Sequence, residues 1–323
     1  MMGPIPRENT CPTISDWGIV LAGGNGERLR DMIRSRLGED IPKQYCALMG
    51  TRSMLEHTIR RACGLVSGER ILSVVGPGHR RFLDRLGPPP LPGRIIESAG
   101  QKGTAVGVFF ALSYVLAEDP DAMVFVFPSD HFIYPEDRYV AELRALRAGL
   151  EKEREDRVVL LAARADRPET DYGWIEVDRR HREPLPGLFR VSRFIEKPRP
   201  PAATKLHRSG AFWNTMIVLA RARTLWALGI KYLPEWMLRF GRFAGILKGI
   251  REGRAAPELE RKAVKHLFEH VDSADFSRDL LQRTAPNLLA QPMEGVLWCD
   301  WGRPERVSET VARFRGGAPL PAL

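Results

Sequence analysis

Short apolar runs that suit buried strands alternate with helix-like segments through the first half of the chain. Strands are predicted at 18–22, 71–75, 94–97, 123–128 and 158–162, and helices at 53–65, 79–86, 104–117 and 137–154. Because parallel strands need a crossover connection between them, this alternation is typical of a mainly parallel sheet covered by helices. The sequence therefore predicts an α/β fold.

The pattern changes after residue 164. Short strands are predicted at 172–177 and 189–196, and we interpret 165–200 as a small antiparallel insertion that forms a lid over the sheet. A further strand at 215–220 precedes a helical segment at 222–270. The apolar and basic stretch 231–250 is compatible with a membrane-surface helix, but packing against the core is favoured because Gly241, Gly245 and Gly249 would weaken a free-standing helix.

One large domain at 17–302 is predicted, between a flexible lead-in at 1–16 and a tail at 303–323. A chain of 323 residues can bury a substantial core. It contains no run of about 18 apolar residues, so we expect no membrane partner. Its four cysteines are scattered and form no C-x-x-C pair, which argues against a zinc knuckle or a disulfide framework and favours a reducing cytoplasm.

The formal net charge is +9. The arginines that produce it are spread along the whole chain, and no aromatic-basic recognition motif accompanies them, so we expect no nucleic-acid partner. A basic surface of this kind does favour attraction of small polyanions such as nucleotides and sugar phosphates.

A glycine-rich turn follows the first predicted strand, at Gly23-Gly24-Asn25-Gly26. Glycines let backbone N–H groups approach a ligand closely, and the basic residues Arg28 and Lys43 that follow suit phosphate oxygens. The spacing fits neither a Walker loop nor G-x-G-x-x-G, so a tight strand-to-helix turn without a ligand stays open as the alternative.

Two aspartates are candidate magnesium ligands. Asp130 comes directly after the hydrophobic strand 123–128, where α/β sheets place ligand-binding groups, although an aspartate there could also cap a helix. Asp300 lies in an apolar context near the end of the chain, so a buried carboxylate there needs a partner. A divalent cation shared with Asp130 would supply one, and a salt bridge to an arginine would do equally well.

Glu196 and Lys197 stand at the end of the predicted strand 189–196, next to a proline. Lysine is scarcer than arginine in this chain, and a compact ammonium fits phosphate where a planar guanidinium would not. A plain surface position is the alternative. We interpret His266 and His270, four residues apart on a predicted helix, as surface histidines, because Glu269 is misplaced for H-E-x-x-H.

Taken in order, the segments LAGGNGERL, PKQY, GTA, VFPSDH, YGWIEV, RFIEKP, FWNTMIV and WCDWG resemble the sugar-1-phosphate nucleotidyltransferases, most closely the bacterial mannose-1-phosphate guanylyltransferases. The likeness runs from about Trp17 to Trp301. It implies a Rossmann-like nucleotidyltransferase fold, with a mixed sheet whose carboxyl edge carries the site.

The resemblance also implies a role for particular residues. The nucleotide would be held by Leu21, Ala22, Gly23, Gly24, Asn25, Gly26, Gln101, Gly103 and Thr104. Arg28 and Lys43 would contact its phosphates, and Asp130 and Asp300 would coordinate Mg²⁺. The sugar phosphate would be held by Gly173, Glu196, Lys197 and Asn214, with Lys197 on the phosphate.

The implied reaction joins a nucleoside triphosphate and a sugar 1-phosphate to give a nucleoside-diphosphate sugar and pyrophosphate. GTP with mannose 1-phosphate is the favoured pair, with a thymidylyl- or uridylyltransferase acting on glucose 1-phosphate, or a non-catalytic nucleotide-sugar-binding relative, as alternatives. The sequence leaves a homodimer open.

Three departures bear on this choice. Gln101-Lys102-Gly103-Thr104 stands where the guanylyltransferases have Arg-Asn-Thr. Thr215-Met216 replaces Ser-Gly after Asn214, and Trp301 replaces a small aliphatic residue after Asp300. They weaken the assignment of base and sugar more than that of the fold.

Overall fold

A computed structural model of the chain describes residues 16–86, 90–181 and 183–315. Most of the predicted lead-in and the last eight positions of the predicted tail lie outside these residues. The strands are β1 Trp17–Ala22, β2 Ile71–Val75, β3 Arg94–Glu97, β4 Met123–Pro128, β5 Phe132–Tyr134, β6 Val158–Arg164, β7 Gly173–Asp178, β8 Phe189–Glu196, β9 Phe212–Arg221, β10 Leu288–Pro292 and β11 Leu297–Cys299.

The helices are α1 Arg30–Leu37, α2 Met54–Cys63, α3 Arg80–Leu83, α4 Thr104–Glu118, α5 Glu136–Lys152, α6 Pro200–Arg208, α7 Ala222–Tyr232, α8 Pro234–Arg251, α9 Leu259–His270, α10 Gln282–Thr284 and α11 Pro304–Arg315. A π-helical turn, Phe276–Leu281, leads into α10. In the part of the chain that the structure describes, no helix is both long and apolar enough to cross a lipid bilayer.

Nine strands form one sheet in the order β3-β2-β1-β4-β9-β6-β10-β8-β7. The pairs β2–β3, β1–β2, β1–β4 and β6–β10 are parallel, whereas β9 runs antiparallel to both β4 and β6. This confirms the predicted mixed α/β sheet. The central strands are buried on both faces, which explains why they appear in the sequence as continuous apolar runs.

Helix α4 covers one face of the sheet and is itself covered by α8. Nearly all of its residues are buried, which explains why its sequence is apolar on every side and lacks the polar face of an amphipathic surface helix. The stretch 231–250 therefore packs on the core, as predicted, through Met237, Phe240, Phe243 and Leu247.

The lid predicted at 165–200 is wrong in its placement. β7 and β8 do pair antiparallel, but β8 also pairs with β10 and β7 with β9, so both strands extend the main sheet at its edge. The cause is strand β10, which the sequence did not reveal. Its run Leu-Leu-Ala-Gln-Pro is short and ends in proline, yet it joins β6 to the edge strands.

The predicted tail at 303–323 contains an ordered helix, α11, which buries Arg306, Val307 and Thr310. The predicted helix at 79–86 is shorter than expected, since only Arg80–Leu83 is helical.

A second sheet of two strands brings distant parts of the chain together. β5 and β11 pair antiparallel, with Phe132 opposite Cys299. Asp130 precedes β5 and Asp300 follows β11, so this pairing places both aspartates at the same end of the two-stranded sheet. The ring of Phe132 stacks on Trp301 with centroids 5.0 Å apart, which fixes that junction.

Candidate active site

The glycine-rich turn after β1 is held by side chains that bind its carbonyl oxygens. Gln44 Nε2 donates to Ala22 O at 2.9 Å and to Gly24 O at 2.7 Å. From the other side, Gln101 Nε2 donates to Gly23 O at 2.6 Å. Because these carbonyls are occupied, the turn is fixed before any ligand arrives, and Gly24 and Asn25 remain exposed at its tip.

Gly26 has φ +64°, and a Cβ atom there would lie 3.0 Å from the backbone nitrogen of Lys43. This close approach brings Lys43 against the turn, as the sequence predicted. Asn25, Gly26, Arg28, Lys43, Gln101, Asp130 and Gly302 are among the residues that line one open cleft.

Lys43 is 7% exposed and joins three parts of the chain. Its Nζ donates to the backbone oxygens of Asp300 at 2.7 Å and Trp301 at 3.2 Å, and lies 3.1 Å from Asp130 Oδ2. An ammonium group has three protons, so all three find an acceptor. Lys43 thereby ties the glycine turn to both candidate metal-binding segments.

Asp130 is paired with Lys43 and neighbours His131, whose Nε2 lies 3.6 Å from Asp130 Oδ1. Burial opposes ionisation of the aspartate, but Lys43 and His131 outweigh it, so the pKa of Asp130 lies below its usual value. Burial lowers the pKa of His131 to about 4, although Asp130 favours its protonated form. His131 is therefore neutral near pH 7, and its Nδ1 accepts from the indole N–H of Trp298 at 3.2 Å.

Asp300 points its carboxylate toward helix α11. Its Oδ1 accepts from the Tyr172 hydroxyl at 2.7 Å, from Gly302 N at 2.9 Å and from Arg306 at 2.9 Å, and its Oδ2 accepts from the same guanidinium at 3.0 Å. Burial opposes its ionisation, but Arg306 and Lys43 outweigh burial and keep the pKa of Asp300 below its usual value. Of the two alternatives raised by the sequence, the structure shows the salt bridge to an arginine, and the cation shared with Asp130 stays a prediction.

Arg28 lies on the rim of the cleft, with its side chain 62% exposed. Its guanidinium is 3.6 Å from Asp171 Oδ2. Asp171 also accepts from Arg303 at 2.6 Å and from Arg306 at 3.1 Å. Arg28 can leave this exposed pair for a phosphate at little cost, because two other arginines remain with Asp171.

Gly173 and Glu196 are paired across β7 and β8. A Cβ at Gly173 would stand 2.6 Å from Glu196 Oε2, so glycine leaves room for that carboxylate. Lys197 Nζ lies 2.7 Å from Glu196 Oε1, and Lys197 N donates to Tyr172 O at 3.1 Å. Burial raises the pKa of Glu196, and Lys197 offsets this only in part. Since Tyr172 also binds Asp300, this group adjoins the cleft.

Asn214 lies at a bulge where β9 shifts register against Leu161 and Ala162 of β6. Its Nδ2 donates to Ser277 Oγ at 3.2 Å. Met216 occupies the bulge with φ +59°, a left-handed conformation that costs a non-glycine residue about 1–3 kcal/mol. The resemblance implies glycine at this position, so the departure noted in the sequence falls on a backbone conformation that favours glycine.

The segment 101–104 packs against residues 274–276. Gly103 has φ +86° and ψ 174°, and a Cβ there would lie 2.3 Å from Ala274 O. Ala274 N donates to Lys102 O at 2.8 Å, and Phe276 N donates to Thr104 Oγ1 at 2.9 Å. The need for glycine at 103 is therefore explained by this packing alone.

The residues present fit a magnesium ion. Asp130 is a partly exposed carboxylate that faces the cleft, and Asp300 keeps part of its lone-pair capacity at Oδ2, while Mg²⁺ commonly uses one or two carboxylates together with phosphates and water. Within the described residues, three metal-binding groups meet only at His266, Glu269 and His270, on the exposed face of α9.

Sequence reasoning missed Arg306 and Ser277. Arg306 stands in a stretch taken for a tail, and Ser277 in a π-helical turn that has no apolar period of its own. A helix start can be recognised from local sequence, as the S-x-x-E capping pattern at Ser53 and Glu56 shows. The burial of an arginine among carboxylates has no comparable local sequence pattern.

A model of the nucleotidyl transferase family matches residues 17–232. The alginate biosynthesis protein AlgA of Pseudomonas fluorescens is 32% identical over 208 residues, which are 63% of this chain and 41% of that protein. The mannose-1-phosphate guanylyltransferase of Escherichia coli is 28% identical over 225 residues, 67% of this chain and 45% of that protein. This chain spans less than half the length of these curated relatives.

Among solved structures, the Thermus thermophilus protein named mannose-1-phosphate geranyltransferase superposes with a TM-score of 0.72 at 25% identity. The superposition covers 89% of this chain and 76% of that one. Because that share is larger than residues 17–232, the structural likeness extends past the segment that the family model matches.

Proposed function

The chain belongs to the nucleotidyl transferase family, and from that premise we propose that it transfers a nucleotidyl group from a nucleoside triphosphate to a sugar 1-phosphate and releases pyrophosphate. The observation that carries this proposal is the position of Lys43. One buried ammonium links the glycine turn, Asp130 and the backbone of Asp300 and Trp301.

Such a site suits attack by an oxygen that is already an anion. A sugar 1-phosphate needs no strong base to become a nucleophile, so the protein must bring two polyanions together and offset their repulsion. Lys43 and Arg28 provide positive charge beside the glycine turn, and they line the same cleft as Asn25 and Gly26. They would hold the triphosphate and stabilise the charge that develops on the departing pyrophosphate.

We assign Mg²⁺ to Asp130, with Asp300 as its second candidate ligand. The ion would supply Lewis-acid polarisation of the phosphoryl oxygens when bound. His131 is neutral near pH 7 and is oriented by Trp298, so it places no second positive charge beside Asp130. Asp130 thereby retains attraction for a cation from the cleft.

The sugar phosphate would occupy the side of the cleft formed by β7, β8 and β9. Lys197 is half exposed and would bind the phosphate, while the buried carboxylate of Glu196 and the amide of Asn214 would accept and donate hydrogen bonds to sugar hydroxyls. Tyr172, adjacent to Gly173, connects this side to Asp300 and so to the metal site.

GTP with mannose 1-phosphate is the substrate pair that we propose first. The Escherichia coli relative is named for that transfer, and eight ordered motifs support the likeness. The segment 101–104 is the observation that keeps other bases in contention, because Gln101 is engaged with Gly23 O and departs from the guanylyltransferase pattern.

The test is pyrophosphate release by the purified protein with each of four nucleoside triphosphates and with mannose or glucose 1-phosphate, first with Mg²⁺ and then with EDTA. We expect turnover with GTP and mannose 1-phosphate that EDTA abolishes. Turnover with dTTP or UTP and glucose 1-phosphate would support the proposed reaction but contradict the proposed pair of substrates. Binding of a nucleotide sugar without turnover by any pair would refute the transferase and favour a binding protein.

Asp130→Asn is the matched variant for this assay, because it removes charge while keeping shape. It should lose turnover while Lys262→Met, which changes an exposed residue of α9, should keep it. Equal rates for Asp130→Asn and the wild type would contradict the role assigned to Asp130.

A further inference from the structure

Arg306 is a buried arginine that the family likeness leaves without a role. It is 4% exposed, and its guanidinium contacts three carboxylates: Asp300 at 2.9 Å, Glu169 at 2.7 Å and Asp171 at 3.1 Å. It also lies over the ring of Tyr172, 4.5 Å from the centroid. A planar guanidinium with several acceptors and an aromatic face below it is tightly fixed in position.

The effect of this contact is on the charge of the cleft. Asp130 is already paired with Lys43, and Asp300 is already paired with Arg306. Each candidate metal carboxylate thus has a resident positive partner, and the two pairs together carry no net charge. Mg²⁺ gives up water reluctantly and needs anionic oxygens to do so, so the protein alone offers it little.

Asp300 is also short of lone pairs. A carboxylate offers about four acceptor positions. The Tyr172 hydroxyl, Gly302 N and two contacts from Arg306 occupy most of those of Asp300. Oδ2 keeps one acceptor position, and a metal ion can use both positions of this oxygen only after Arg306 has given up its contact there.

We propose that Arg306 is a positioning residue that acts as the resident counter-ion of Asp300 and keeps bare divalent cations out of the nucleotide-free cleft. The metal then enters together with the phosphates of its nucleotide, which bring the missing negative charge. The inference rests on the proposed function, because it takes Asp130 and Asp300 as the metal-binding pair.

The surroundings of Arg306 allow it to release Asp300. Glu169 and Asp171 remain as its partners, at 2.7 Å and 3.1 Å, so the buried guanidinium stays neutralised when Asp300 turns to the metal. An arginine with Asp300 as its only partner would be left as an unpaired buried charge, at a high cost.

The experiment is a titration of nucleotide-free protein with Mn²⁺, followed by electron paramagnetic resonance, since free Mn²⁺ gives the signal. Wild type should bind weakly, with a Kd above about 0.1 mM. Arg306→Gln removes the charge and frees Asp300, and should bind at least about tenfold more tightly because an opposing unit charge is lost from the site. The double variant Arg306→Gln with Asp300→Asn restores neutrality without a carboxylate and should bind as weakly as the wild type.

Arg303→Gln is the matched control. Arg303 also donates to Asp171, at 2.6 Å, and directly precedes the same helix, but its side chain is 52% exposed and its ion pair is with Asp171 rather than Asp300. Its removal should leave Mn²⁺ binding near the wild-type value. An equal gain in Arg303→Gln and Arg306→Gln, or no gain in Arg306→Gln, would overturn the proposal.

The Mn²⁺ titration of the wild-type protein tests the proposal by itself, so the test does not depend on whether Arg306→Gln folds. Saturable binding of bare Mn²⁺ to the wild type in the micromolar range would overturn the proposal without any variant. These outcomes are independent of turnover. If no substrate pair reacts but Arg306→Gln gains Mn²⁺ affinity, the proposed function fails and the role of Arg306 stands. If a substrate pair reacts and Arg306→Gln gains no affinity, the function stands and the role of Arg306 fails.

Discussion

Replacement of Lys43 by methionine tests whether one ammonium holds the site together. Methionine keeps the length and the apolar stem of the side chain but removes its charge and its three donors. We expect the variant to fold, to lose stability and to lose turnover. Three groups would lose their partner at once: the backbone oxygens of Asp300 and Trp301 and the carboxylate of Asp130.

The size of the effect follows from these contacts. Removing one partner of a buried ion pair costs about 3–5 kcal/mol, and a hydrogen bond to a charged group contributes about 1.5–3 kcal/mol. Asp130 is one-third exposed, so water recovers part of its loss. A decrease of about 3 kcal/mol in the free energy of unfolding is therefore expected, which lowers Tm by roughly 6 °C in a domain of this size.

The assay is chemical unfolding in urea, read by tryptophan fluorescence, beside pyrophosphate release. Lys262→Met is the control, because it removes an exposed lysine of α9 and should change stability by less than about 0.5 kcal/mol. Lys43→Arg keeps the charge but not the compact geometry, so it should fall between the two. A Lys43→Met protein as stable as the control would refute the proposed link between the turn and the two aspartates.

Three further outcomes are expected. Gly103→Ala forces a Cβ onto Ala274 O in a conformation open essentially to glycine alone, so the free energy of unfolding should fall by about 2–4 kcal/mol; an unchanged urea midpoint would contradict this. Burial raises the pKa of Glu196, so its carboxylate protonates at higher pH than a free glutamate; KM for the sugar phosphate should rise as pH is lowered from 8 to 5, and Glu196→Gln should flatten that profile. Burial opposes ionisation of Asp300 but Arg306 outweighs it, so its folded pKa lies below the unfolded value of about 3.9; its stabilisation is present above that value and lost as pH falls through the folded pKa. Asp300→Asn should therefore lose less stability than wild type as pH falls below about 4, and parallel curves there would refute the assignment.

The fold was predictable where a strand is buried on both faces. β1, β2 and β4 are each visible as short apolar runs between helical segments, and the family likeness is confirmed over residues 17–232. β10 escaped because its five residues resemble a loop that ends in proline, and only its neighbours in space make it a strand. Because β10 was not predicted, the strands β7 and β8 that it joins to the main sheet were interpreted as a separate lid.

The site was predictable in its parts and not in its pairing. Motif order brought out Lys43, Asp130 and Asp300, and the structure joins all three through one ammonium. The residues that contact these three side chains are brought in by the pairing of β5 with β11 and by helix α11, which follows β11. β5 and β11 are more than a hundred residues apart in the sequence, so local patterns do not predict their pairing. The role of Arg306 was likewise not predictable, because nothing in its local sequence distinguishes it from the many arginines of the surface.

The most direct test of the central claim follows the oxygens of the sugar phosphate. Mannose 1-phosphate labelled with ¹⁸O at its non-bridging phosphate oxygens would be incubated with GTP, Mg²⁺ and the protein, and the products analysed by ³¹P NMR and mass spectrometry. We predict that a sugar-phosphate oxygen attacks the α-phosphorus, so every labelled oxygen remains in the nucleoside-diphosphate sugar and none enters pyrophosphate. Label in pyrophosphate, or release of inorganic phosphate in its place, would contradict it.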